Sequence, residues 1–101
     1  MNANELFMLF AACVNNPCDN RIIIYTNDTT KYGERKYYMV DFDTLEKENE
    51  WFVGEDGMVV SICTNDDNDT YSGYKTYEKG WNAFKELAAK DNVSEIFIEG
   101  Y

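Results

Sequence analysis

The stretch R21-I-I-I-Y-T26, followed after the polar N27-D-T-T-K-Y-G-E34 by R35-K-Y-Y-M-V-D-F42, decides the fold. Both runs are short and rich in β-branched or aromatic residues, which suit a pleated, half-buried strand. The segment between them reads as a loop, so the two runs form a hairpin with Ile22 to Ile24 in a central strand.

Upstream, N2-A-N-E5 supplies Asn caps and an early acid before Leu6, Phe7, Leu9, Phe10, Cys13 and Val14. The pattern predicts a helix that is apolar nearly all round and therefore covered on most sides. N15-N-P-C-D-N20 stops it, because Pro17 lacks a donor and disfavours helical geometry in Asn16. Downstream, D43-T-L-E46 has capping-box spacing, suited to a helical turn or two before Trp51. W51-F-V-G-E-D-G-M-V-V-S-I-C-T64 reads as a second hairpin turning at Asp56-Gly57. N65-D-D-N-D69 reads as an exposed loop.

From 76 to 90 the apolar positions Tyr77, Trp81, Phe84, Leu87 and Ala88 lie on one helical face, with Glu86 and Lys90 paired at i, i+4 on the other. Gly80 costs such a helix about 1 kcal/mol, less than the gain from burying its aromatic and leucine side chains. S94-E-I-F-I-E-G-Y101 then alternates Ile96 and Ile98 with Glu95, Phe97, Glu99 and Tyr101, as a final strand does. The expected order is α-β-β-β-β-α-β. This is an α+β fold, an antiparallel sheet of four to five strands with two helices packed on it, in one domain spanning 1–101.

Composition narrows the class. In 101 residues, 45% hydrophobic and 16% aromatic content supplies a packed interior. The longest apolar run, L6-F-M-L-F-A-A-C-V14, is half of the ~20 residues that span a bilayer, and Glu5 has the wrong sign for a secretory leader. Three cysteines are an odd number for a disulfide framework. The chain is therefore expected to be mature and cytoplasmic, with reduced thiols.

Charge is the strongest signal. The chain carries 19 acids and 9 bases, a net of −10. From Asp41 to Asp69 there are ten acids, Asp41, Asp43, Glu46, Glu48, Glu50, Glu55, Asp56, Asp66, Asp67 and Asp69, against the single base Lys47. Nearly the whole excess lies in this window. It disfavours nucleic acid and anionic membranes as direct partners and favours a basic protein surface or a cation, with solubility as the alternative reading.

Enzymatic constellations are missing. The chain has no histidine, so neither a Ser-His-Asp triad nor a Cys-His pair can form, and its glycines match no phosphate-cradling loop. Asp67, Asp69 and Glu78 take the first, third and twelfth positions of a calcium loop, but Tyr71 and Ser72 stand where that loop needs an oxygen donor and Gly. Only a loose divalent site at 65–69 survives, so neither cofactor nor metal is expected. Tyr32, Tyr37, Tyr38, Tyr71, Tyr74, Tyr77 and Tyr101 exceed the needs of a core, and tyrosine beside acid suits a protein-binding face.

In size, acidity and mixed helix-sheet organisation the chain resembles the small anti-CRISPR and anti-restriction inhibitors of phages, several of which mimic DNA. M1-N-A-N-E-L6 and K79-G-W-N82 are similar to segments of an acidic inhibitor in the anti-CRISPR group. The resemblance implies a non-catalytic inhibitor, monomer or homodimer, that occupies the DNA-binding channel of a CRISPR-associated nuclease. The ten acids of the window would be its contacts, with Tyr71 and Tyr74 as aromatic anchors. The other reading is a small binding module of a mobile element that acts through a Tyr-rich sheet face.

Overall fold

In the computed structural model, residues 1–16, 19–44, 58–66, 71–74 and 77–100 are described. The elements are α1 (Ala3–Asn15), β1 (Asn20–Thr29), β2 (Arg35–Thr44), β3 (Met58–Thr64), β4 (Tyr71–Tyr74), α2 (Tyr77–Ala88) and β5 (Val93–Gly100). They follow the expected order and form an antiparallel α+β fold. The five strands lie in the order β4-β3-β2-β1-β5.

The hairpin of β1 and β2 is the centre of this sheet, with Ile22 opposite Val40 and Ile24 opposite Tyr38. Its loop is tighter than the sequence suggests, because β1 continues to Thr29. The buried Thr30 closes it: its N–H donates to Glu34 O at 2.7 Å and its carbonyl accepts from Gly33 N at 2.9 Å. Gly33 sits at φ 83°, a conformation that a side chain disfavours.

β1 also pairs with β5, setting Ile22 opposite Ile98 and Ile24 opposite Ile96. β2 also pairs with β3, setting Val40 opposite Ile62 and Phe42 opposite Val60. One face of the sheet thus presents a continuous aliphatic row. Both helices pack on it, α1 over β1 and β5, α2 over β3 and β4.

Phe10 of α1 is fully buried where the helices meet, with ring centroids 5.0 Å from Phe42, 5.3 Å from Tyr77 and Trp81, and 5.6 Å from Phe84. Burial of Phe10, Phe84, Ile22, Ile24, Val40 and Val60 contributes roughly 1.5 to 3 kcal/mol per side chain. Helix α1 starts at the Asn cap, Asn2 Oδ1 accepting from Glu5 N at 2.9 Å.

Two expectations need correction. Helix α1 is not covered on most sides: Phe7 and Met8 remain 48% and 69% exposed, because the sheet and α2 enclose only Phe10 and Cys13 fully, and Phe7 meets only the ring of Trp81, at 5.7 Å. Over 60–63, β3 is paired on both edges, by β2 and by β4, and the expected hairpin arm at 51–57 lies outside the described residues. The fourth strand is instead Y71-S-G-Y74, paired with β3 from Val60 to Cys63. The helical turn expected after Asp43 also lies outside the described residues.

Gly80 acquires a reason. It is buried where α2 crosses β3, and a Cβ there would stand 2.5 Å from Val60 Cγ2. No helix among the described residues is long and apolar enough to cross a membrane.

Candidate functional site

Alternation along a strand sends every second side chain to the face away from the helices. On β1 these are Arg21, Ile23 and Tyr25, opposite Asp41, Met39 and Tyr37 on β2. On β5 they are Glu99, Phe97 and Glu95, opposite the same three β1 residues. On β3, Cys63 and Ser61 stand opposite Met39 and Asp41. Among the described residues no helix packs on this second face, and it is neither a solvated polar surface nor a plain core.

Its middle is apolar: Ile23 is 3% exposed. At one end Tyr25 gathers an aromatic cluster, 5.3 Å from the Tyr37 ring in an edge contact and 5.8 Å from Phe97 in a stacked one. The Arg35 guanidinium lies 4.6 Å from the Tyr25 centroid. It is held there by three other contacts, Nε donating to Thr26 O at 3.1 Å, Nη2 donating to Ser94 Oγ, and an ion pair with Glu95 at 3.6 Å. Phe97 is 37% exposed, so the cluster presents an aromatic surface to its surroundings. A stacked Arg and a Tyr pair are the residue types that dominate protein-binding hot spots.

At the other end the face is ionic. Arg21 Nε donates to Asp41 Oδ1 at 3.0 Å, and Arg21 Nη1 lies 3.4 Å from Met39 Sδ. Cys63 lies on this face, its thiol pKa raised first by burial, then by the negative charge of Asp41, with Arg21 acting in the opposite sense. A raised pKa makes a poor nucleophile at neutral pH. Cys13, in the core, is pushed up to about 11 by burial alone.

The acids of the 41–69 window fall into three groups. Asp41 and Asp66 have described side chains, and each is paired with a cation. Asp66 Oδ2 is 3.8 Å from Lys36 Nζ and Asp66 Oδ1 accepts from Lys31 N at 3.4 Å. Asp66 lies beyond the end of β3 at Thr64 and pairs with Lys36, whereas Asp41 pairs with Arg21 and stands opposite Ser61 within β3, so the two carboxylates do not share one site. Asp43, Tyr71 and Tyr74 are placed by backbone register alone, opposite Val59, Cys63 and Val60. Glu46, Glu48, Glu50, Glu55, Asp56, Asp67 and Asp69 lie outside the described residues.

The start of N65-D-D-N-D69 is not a free loop. Asn65 Oδ1 accepts from Tyr37 N at 2.9 Å and Asn65 Nδ2 donates to Arg35 O at 2.9 Å. Its side chain thus stands in for the strand residue that β2 lacks once β3 has ended. Among the described residues no three carboxylates or thiols come together as a metal site.

The tyrosines divide between the two sides. Tyr38 and Tyr77 pack against the core, Tyr37 belongs to the helix-free face, and Tyr32 is 66% exposed in the turn beside Lys31. The sequence reading overlooked Tyr25, Arg35 and Phe97. Alternation along each strand could have assigned Tyr25 and Phe97 to a face, but their meeting depends on the β1–β5 register. Comparison with protein-family models, with curated proteins and with solved structures gives no match.

Proposed function

We propose that this chain is a non-catalytic binding protein that docks a basic protein surface over the helix-free face of its sheet, working in the cytoplasm. One observation carries the reading: the cluster of Tyr25, Tyr37, Phe97 and Arg35, preorganised by ring contacts and by the bonds of Arg35, faces away from both helices. Rigid aromatic side chains lose little entropy on binding and supply large apolar contact. The surplus of acid in the 41–69 window supports a basic partner, since complementary charge steers association. The lack of histidine supports a binding rather than a catalytic role.

A second reading is favoured by the window's ten acids against one base. In it the protein is a phage-type inhibitor that mimics DNA and fills the nucleic-acid channel of a CRISPR-associated or similar nuclease. Same-face residues on a strand recur at about 6.6 Å, roughly half the charge density of one DNA strand. The pairing of Asp41 with Arg21 and of Asp66 with Lys36 weighs against those two as phosphate mimics.

The two readings separate in one experiment. The immobilised protein is exposed to bacterial lysate at low and high salt, beside a Tyr37→Ser, Phe97→Ser variant and an Asp67→Lys, Asp69→Lys variant. Docking through the sheet face predicts that the first variant loses its captured partner at both salt concentrations. Mimicry predicts loss with the second variant and steep release of wild-type capture by salt. Capture indifferent to both pairs of substitutions would refute both readings.

A further inference from the structure

The sheet ends on one side in β5, whose outer edge has no neighbouring strand among the described residues. An edge strand leaves alternate N–H and C=O groups directed outward, ready to pair with an extended chain. Many natural edges are short or irregular, which blunts this tendency. β5 runs from Val93 to Gly100 without a proline, and between Asn20–Gly100 and Tyr25–Glu95 its register against β1 is unbroken. It is a long and regular template.

The side chains of this edge state what fits. On the helix-free face they read Glu95, Phe97, Glu99; Glu95 keeps 57% exposure even with Arg35 beside it. On the helix face, Ile96 is only partly buried, and beneath it lies a cleft of about 240 Å³ with a mixed wall, the apolar Leu6, Ala88, Val93 and Ile96 alternating with Lys90, Ser94 and Glu95, and with Met1 at its side. A second copy of the chain is a poor occupant. The antiparallel register with Phe97 opposite Phe97 sets Glu95 against Glu99 twice, and like charges directly opposite destabilise a strand pair. The same two carboxylates favour a strand with cations in their place.

We infer that the β5 edge accepts an extended segment of a partner protein by strand addition, a segment reading basic–x–apolar–x–basic. Its cations stand opposite Glu95 and Glu99 and its central apolar residue opposite Phe97, while an intervening side chain points into the cleft. The backbone ladder supplies affinity and the alternate side chains supply selectivity. This rests on the reading of the chain as a binding protein and adds to it the conformation and pattern of the bound segment.

The test uses the whole protein and terminally blocked peptides built on Lys-Val-Tyr-Val-Lys, with Glu-Val-Tyr-Val-Glu as the reversed control. Binding is followed through the backbone amide resonances of β5. The basic peptide is expected to bind at least roughly tenfold tighter than the acidic one, from two opposite-charge pairs replacing two like-charge pairs. N-methylation of the peptide amides that face the edge abolishes binding, whereas methylation of the alternate set leaves it intact. In a Glu95→Lys, Glu99→Lys variant the preference for basic over acidic peptide inverts.

Equal binding of both charge types, equal tolerance of both methylation patterns, or no binding at millimolar peptide would each overturn the inference. So would a doubled mass with β5 amides already protected in the peptide-free protein, since a second copy would then hold the edge. If Tyr37→Ser abolishes capture of a partner while no peptide binds, the sheet-face reading stands and the strand-addition inference falls alone.

Discussion

Replacing Gly80 by Ala sets two effects against each other, and the structure decides between them. In a solvent-exposed helix the change stabilises by about 1 kcal/mol, because glycine has more backbone freedom to lose. Here the new methyl would stand 2.5 Å from Val60 Cγ2, 2.7 Å from Val60 Cβ and 3.3 Å from Val60 Cγ1. The nearest atoms belong to a short β-branched side chain on a central strand, fully buried, with no rotamer that removes its Cβ. Helix α2 must therefore move away from β3, loosening the packing of Phe84 and Leu87, and overpacking of this kind costs about 1 to 3 kcal/mol. The net expectation is destabilisation by up to about 2 kcal/mol, with a fall of about 4–8 °C in Tm for each kcal/mol at this domain size. Urea and thermal unfolding measure it. Val60→Ala should cost less in the Gly80→Ala background than in the parent, because it removes both γ carbons from the clash while leaving Cβ, so the pair is non-additive in a double-mutant cycle. A Gly80→Ala variant more stable than the parent would refute the close approach of α2 to β3.

Asn65→Ala removes both the acceptor for Tyr37 N and the donor to Arg35 O, and should cost about 1–2 kcal/mol while speeding amide exchange at Tyr37; unchanged exchange there would contradict the role of Asn65 as a strand surrogate. Cys13 gives a pH signature. Its thiol ionises near 9 in the unfolded chain and near 11 in the fold, so the unfolded state releases its proton first. The stability linked to the protonated thiol is complete below pH 9 and declines as pH rises from 9 to 11. The stability advantage of the parent over Cys13→Ala should therefore shrink across that interval. A difference that stays constant from pH 8 to 11 would show that Cys13 is not shielded from solvent.

The parts of this molecule that were legible in its sequence are those fixed by local pattern. Ile22 to Ile24, the spacing of Trp81, Phe84 and Leu87, and the alternation around Ile96 and Ile98 each identify an element within a few residues. Y71-S-G-Y74 escaped because four residues with an internal glycine carry no period of their own; their strand state comes from pairing with β3. Helix α1 looked covered because its sequence is apolar on most sides, but a helix on a sheet with one neighbouring helix has a side that nothing reaches. The acid window was legible as composition and illegible as a surface. Arg21 precedes Asp41 by 20 residues and Lys36 precedes Asp66 by 30, and only the strand register shows that these acids have cations beside them.

The helix-free face places a constraint on function that charge alone does not. Ile23 is nearly as buried as the core isoleucines Ile22 and Ile24 although it points away from the helices. A sheet surface with no further role would read as alternating polar residues, and an antiparallel sheet tolerates such a surface well. This one instead sets Ile23, Met39 and Phe97 side by side across three strands, with an aromatic cluster at one end and the Arg21–Asp41 pair at the other. In the proposed binding role the exposed Phe97, beside this already buried centre, is the apolar part that a partner would meet, and the charged residues around it would set orientation. Every copy carries the same net charge of −10, and this repulsion opposes association of such a face with its own copies.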